Sequence, residues 1–156
     1  RAKLALAIHL NLLSDLDSES SLDAIATESY SVDNGVALDI DGEEWRVFEN
    51  YDSALTEAKE QSSELLWAFN ADFLSGETGL PVEVFEAIQE NDKCEDNNDA
   101  IRAILNGSCG VDSLLDTAIS CDGLGHTLST YDGDGVDIYC PAMDNKQDHF
   151  LAFRTN

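Results

Sequence analysis

Residues Val36-Ala37-Leu38-Asp39-Ile40-Asp41-Gly42-Glu43-Glu44-Trp45-Arg46-Val47-Phe48 carry the clearest structural signal in the chain. Val36, Leu38 and Ile40 alternate with small or polar neighbours, and Trp45 and Val47 alternate after them, which is the two-residue period of a half-buried strand. Between the runs, Asp41-Gly42 supplies the positive φ that a tight hairpin turn needs. The stretch predicts an antiparallel hairpin with one face on a core and Phe48 on the other face. Further strand-like runs come only near the end, at 126–131, 136–140 and 150–155. Asp132-Gly133-Asp134-Gly135 is placed to form a second hairpin turn between the first two of them.

Between these β segments the apolar period changes to three and four residues. After the cap candidates Asn50 to Ser53, the residues Leu55, Ala58, Ser62, Leu65, Phe69 and Phe73 form one stripe and predict a single helix over 52–74. Gly76 and Gly79 end it, and Pro81 suits the first turn of the next helix, read over 81–99 with Asp96-Asn97-Asn98 as caps where it breaks. Ile101, Ile104 and Leu105 mark a helix closed by Asn106-Gly107. Leu114, Leu115, Ala118 and Ile119 mark another over 111–121, ended by Gly123. Upstream, Leu4, Ile8 and Leu12 predict a helix over 1–14, and a short one is expected over 22–28. Strands, then helices, then strands give an α+β class: several helices packed on a small antiparallel sheet built from the N-terminal-half hairpin and the C-terminal strands. The expected organisation is a helical extension over 1–35 and one α+β domain over 36–156.

The chain has 156 residues, of which 32 are acidic and 8 basic, a net charge of −24. Hydrophobic residues make up 43%, enough for a core. The charge opposes direct binding to nucleic acid or to an anionic membrane. No apolar run approaches the roughly 20 residues that span a bilayer, and Arg1 to Leu13 lacks a signal-peptide cleavage site. These features lead to the expectation of a soluble protein in the cytoplasm. Asp outnumbers Glu by 19 to 13 and only four Lys are present, a balance shared with salt-adapted proteins, so salt adaptation is one account of the charge. The cysteines Cys94, Cys109, Cys121 and Cys140 form no C-x-x-C pair, which argues against zinc ribbons and fingers. They are read as reduced thiols, Cys94 and Cys121 at core positions.

Motifs of catalysis are missing from the sequence. There is no P-loop, no G-x-S-x-G and no Cys–His signature. The run from Asp132 fails the EF-hand pattern, because its positions 5, 6 and 12 are Val136, Asp137 and Met143. His126 lies in a Gly-rich segment near Asp122 and Asp132, which together offer a metal-assisted or general-base centre. The plainer reading is a structured turn. His9 and His149 show no spacing that pairs them with it. No catalytic residue, metal or cofactor is assigned, and an enzyme is not expected.

Acidic rows stand out instead. Glu57, Glu60 and Glu64 fall at one-face helical spacing, and Glu83, Glu86 and Glu90 repeat it. Asp92, Glu95, Asp96 and Asp99 extend the series, and Asp112 and Asp116 add another row. Such neighbours stand about 5–6 Å apart, a separation of the same order as the ~3.4 Å axial step of phosphates along one DNA strand. Rows of this kind match the cationic groove of a nucleic-acid-binding protein.

Three segments resemble a group of small tailed-phage accessory proteins: Leu66-Trp67-Ala68-Phe69-Asn70-Ala71-Asp72-Phe73-Leu74, Lys93-Cys94-Glu95-Asp96-Asn97-Asn98-Asp99-Ala100-Ile101, and Asp122-Gly123-Leu124-Gly125-His126-Thr127-Leu128-Ser129-Thr130-Tyr131-Asp132-Gly133. In that group an Asp-Gly hairpin precedes the first segment, and a strand ending in Arg-x-Asn, here Arg154-Thr155-Asn156, follows the last. The resemblance covers roughly residues 36 to 156 and implies a phage origin rather than a reaction. Joined to the acidic rows, it leads to the expectation of a protein that acts in the host cytoplasm. It would bind and inhibit a basic host nucleic-acid-processing or defence protein by presenting nucleic-acid-like carboxylates. The alternatives are a virion or assembly protein whose charge serves solubility, and a metal-assisted enzyme around His126.

Overall fold

The computed structural model describes residues 6, 26–32, 34–40, 42–90, 94–140 and 148–156. The fold is α+β. Its strands are β1 (Ala26–Val32), β2 (Gly35–Ile40), β3 (Glu43–Phe48), β4 (Gly135–Cys140) and β5 (Asp148–Arg154). They form one antiparallel sheet in the order β1-β2-β3-β5-β4. The helices are α1 (Tyr51–Ser63), α2 (Ala71–Thr78), α3 (Val82–Gln89), α4 (Cys94–Asn106), α5 (Val111–Asp122) and α6 (Leu124–Leu128), with a 3-10 turn at Leu66–Ala68 between α1 and α2.

The expected hairpin is β2–β3. Ile40 faces Glu43 across the turn, and Gly42 takes φ 82°. Phe150, Leu151, Ala152 and Phe153 are all buried, so β5 is apolar on both faces and belongs inside the sheet, between β3 and β4. One face carries Leu38, Ile40, Trp45, Val47, Ile138, Phe150 and Ala152, covered by Leu6. Leu6 is helical, and the rest of the helix expected over 1–14 lies outside the described residues. The other face buries Ala37, Phe48, Leu151 and Phe153. There the rings of Phe48 and Phe153 meet edge to face, 5.9 Å apart. Arg46 on this face pairs with Glu57 of α1 at 3.3 Å, and Asn34 donates to the same carboxylate at 3.2 Å.

Several expectations change. Residues 26–28, expected to end a short helix over 22–28, instead open β1 of the sheet, and residues 22–25 lie outside the described residues. Thr27, Tyr30 and Val32 favour strand, and the chain reverses at Asn34-Gly35 to pair Val32 with Gly35. A Cβ on Gly35 would stand 2.8 Å from Phe48, so glycine is also required there for packing.

Residues 126–131 are not a strand. Leu124 and Leu128, four apart and both buried, lie on one side of α6, which Gly123 at φ 81° separates from α5. The Asp132 to Gly135 turn therefore joins α6 to β4. It folds so closely on α6 that a Cβ at Gly125 would come within 2.0 Å of the Gly133 carbonyl.

The single helix expected over 52–74 is broken. Asn98 and Arg102 donate to the Ser63 carbonyl at 3.0 and 2.6 Å, and Asn98 accepts from the Trp67 amide at 3.2 Å. Gln89 donates to the Trp67 and Phe69 carbonyls at 2.9 and 2.7 Å. Asn70 then caps α2 through the amides of Asp72 and Phe73. Polar side chains thus satisfy the backbone groups that a helix break leaves open. Gly76 lies inside α2, and Gly79 at φ 72° ends it. The helix read over 81–99 is two helices, with Asn97 and Asn98 buried inside α4 rather than capping it. Cys121, expected in the core, is exposed; the side chain of Cys94 lies outside the described residues.

Contacts divide the chain into two compact units, where the sequence leads to one domain over 36–156. One comprises residues 1–58 and 122–156, the other 59–121. The second has its own core of Leu66, Leu74, Phe85, Ile101, Leu105, Leu114 and Leu115, ringed by Trp67, Phe69, Phe73 and Ile88.

Trp45 is buried, yet its indole Nε1 has no acceptor among the described residues. An unsatisfied buried donor costs about 1–3 kcal/mol. Trp45→Phe removes the donor together with part of the ring, so urea unfolding is expected to show a change below about 1.5 kcal/mol. Phe48→Ala is expected to cost roughly 3–5 kcal/mol. A Trp45→Phe loss as large as that of Phe48→Ala would contradict the assignment.

Candidate acidic interface

The carboxylates singled out in the sequence divide into two classes. Some are neutralised within the chain. Glu57 is held by Arg46 and Asn34 and keeps only 12% of its side chain exposed, so it is a strap between α1 and the sheet and not a presented charge. Asp112 and Asp116, one turn apart on α5, both reach Lys59 Nζ, at 2.8 and 2.6 Å. Glu64 lies 3.8 Å from Arg102. Asp92 lies outside the described residues, as does the side chain of Glu95.

The second class is presented. Glu83, Glu86 and Glu90 are exposed along α3 and its C-terminal cap, and Asp99 is exposed on α4. Among the described residues no basic side chain pairs with any of these four. Glu60 and Asp96 are exposed too, but each makes contacts of its own and neither belongs to the unpartnered row. Phe85 buries the opposite side of α3 in the core of this unit, which fixes the acidic side outward. α3 packs against α2 and α4, so the row stands on a supported helix.

The placement of charge along the helices follows the helix dipole at one end only. Asp52, Asp72, Glu83 and Asp112 occupy first turns, where the amide groups favour an anion. None of α1 to α5 has a basic residue in its last turn. Glu90, at the C-terminal end of α3 and four residues from Glu86, is opposed both by the dipole and by a like charge.

The four described Lys and Arg residues are all engaged internally. Arg46 holds Glu57, Lys59 holds Asp112 and Asp116, and Arg102 holds Ser63 and Glu64. Arg154 pairs with Glu43 at 2.9 Å and lies over the Tyr131 ring at 4.0 Å. Charge is nonetheless spread evenly by sequence: residues 59–121 hold 13 acidic and 3 basic residues, a net of −10 in 63. The other unit holds 19 acidic and 5 basic, a net of −14 in 93.

The grouping of His126, Asp122 and Asp132 finds no metal-binding geometry: among the described residues no cluster of three or more His, Cys, Asp or Glu is placed to hold an ion. Asp132 serves its turn, accepting from the Asp134 amide at 3.0 Å and from Ser129 Oγ at 2.8 Å, and those bonds hold its carboxyl below the usual aspartate range. A different cluster escaped the sequence reading. His149 Nε2 lies 2.6 Å from Asp137 Oδ1, and the Tyr139 ring stacks on His149 at 4.8 Å. Asp137 and Tyr139 sit two apart on one strand, which the sequence shows, but only the β4–β5 register brings His149 opposite Tyr139.

No protein-family model, curated protein or solved structure matches the chain. No helix among the described residues is long and apolar enough to cross a membrane.

Hydrogen bonds from Lys59 to Asp112, then to Asp116, raise the Lys59 pKa above its ordinary value of 10.5. A raised folded-state value means that the stabilisation is fully present below about 10.5, the unfolded value, and fades as pH rises through the higher folded value. Both carboxylates are more than half exposed, so the link is worth about 1 kcal/mol or less. Lys59→Met is expected to lower the unfolding free energy by that amount at pH 7, with the difference shrinking as pH rises beyond 10.5. A difference that persists unchanged at high pH would contradict an ionic link.

Proposed function

We propose that the protein binds a basic protein through the carboxylates of its helical unit, in the manner of a nucleic-acid mimic. The observation that carries this reading is the row of Glu83, Glu86 and Glu90, exposed on a packed helix and without a basic partner among the described residues. Such a row weakens the free helix and gains when an external cation meets it. Asp99, exposed on α4, adds to the field of the same unit. The resemblance to tailed-phage accessory proteins directs the choice of partner to host nucleic-acid-processing or defence proteins, whose grooves are lined with Lys and Arg. Long-range attraction would then speed encounter, and salt would weaken it.

The even spread of charge between the two units favours a second reading, in which acidity serves solubility or salt adaptation throughout the chain. The two readings part on one experiment, capture from host lysate at low and moderate salt with the wild type and with Glu83→Gln/Glu86→Gln/Glu90→Gln. Mimicry predicts capture of a basic nucleic-acid-binding protein, with affinity falling steeply with salt. The triple variant should bind it about tenfold more weakly or worse, the sum of three modest charge contacts. Capture that the triple variant leaves intact would end the α3 assignment, and no basic partner at low salt would favour the solubility reading.

A further inference from the structure

The sheet offers a second surface of different chemistry. Among the described residues β4 pairs only with β5, so its outer edge presents unpaired backbone amide and carbonyl groups. Alternate residues Gly135, Asp137 and Tyr139 are exposed on one side of this strand, while Ile138 is buried on the other. Tyr139 is 59% exposed despite its stacking on His149, which leaves one ring face open. The Asp137 side chain is also 59% exposed, and among the described residues His149 engages its Oδ1 and leaves Oδ2 open.

An aromatic ring beside a carboxylate is the recognition pair for a guanidinium, which stacks on the ring and donates to the carboxylate. The described residues already contain this arrangement: Arg154 lies over Tyr131 and pairs with Glu43. Tyr139 and Asp137 repeat the ring and the carboxylate, with His149 in place of arginine. We propose that the β4 edge is a docking site for an extended, arginine-bearing segment of a partner protein. The segment would add as a strand to β4 and seat one guanidinium on Tyr139 and the free oxygen of Asp137. Backbone pairing would supply affinity, and the Tyr139–Asp137 pair would select arginine at one position.

This inference shares with the α3 proposal only the basic character of the partner. The surfaces belong to different units, and either can fail alone. The test titrates an acetylated eight-residue peptide of alternating valine and arginine into the full chain, followed by backbone amide NMR. A peptide of equal charge, with proline in place of every valine, is the control. The expected result is shift changes centred on residues 135–140 and the Tyr139 ring. Tyr139→Ser, Asp137→Asn and the proline peptide should each weaken binding about fivefold or more, the weight of one cation–π or charge-assisted contact. Shift changes confined to the carboxylates of α3 and α4 and indifferent to both substitutions, or no binding at low salt, would overturn the proposal. The first of those results would leave the α3 reading standing.

Discussion

A shortage of cations governs this protein. With 8 basic residues against 32 acidic ones, a Lys or Arg is scarce enough that its place has structural consequences. Arg46 ties α1 to the sheet through Glu57, and Lys59 ties α1 to α5 through two aspartates. Arg102 closes the break after α1, and Arg154 joins β5 to the β3 end of the hairpin and to Tyr131. Each of these four cations holds two elements of the fold together. What remains exposed on α3 is therefore negative with no described counter-charge, and this gives a functional reading its footing.

The fold tolerates the excess because apolar burial, not charge, holds each unit. The sheet is packed on both faces around β5, and the helical unit closes on Phe85, Leu74 and their neighbours. Surface carboxylates then repel one another weakly through water, at tenths of a kcal/mol per adjacent pair. Those in first turns gain from the helix dipole. Glu90, at the C-terminal cap of α3, gains nothing of the kind.

The sequence shows the α+β class and the β2–β3 hairpin because both rest on local alternation and an Asp-Gly turn. It also shows α5, whose stripe and terminating glycine agree. It misses the break between α1 and α2 because the cause lies at Gln89, Asn98 and Arg102, far along the chain, where amide side chains look like surface residues until they meet open backbone groups. It misreads 126–131 because Leu124, the first anchor of α6, falls just outside the run that looked like a strand. The acidic rows are legible as spacing, but which members are neutralised is a tertiary property: Glu57 and Asp116 look no different in sequence from Glu83 and Glu86.

The α3 carboxylates have no basic partner among the described residues. The decisive measurement is the unfolding free energy of Glu86→Gln/Glu90→Gln against the wild type at low and high salt. These two residues are like charges four apart, and the second faces the negative end of its helix. The variant is expected to be more stable by about 0.5–1 kcal/mol at low ionic strength, with the gain vanishing at ~1 M salt. A variant equal to or less stable than the wild type at low salt would mean that the row is already balanced inside the molecule and is not a presented charge.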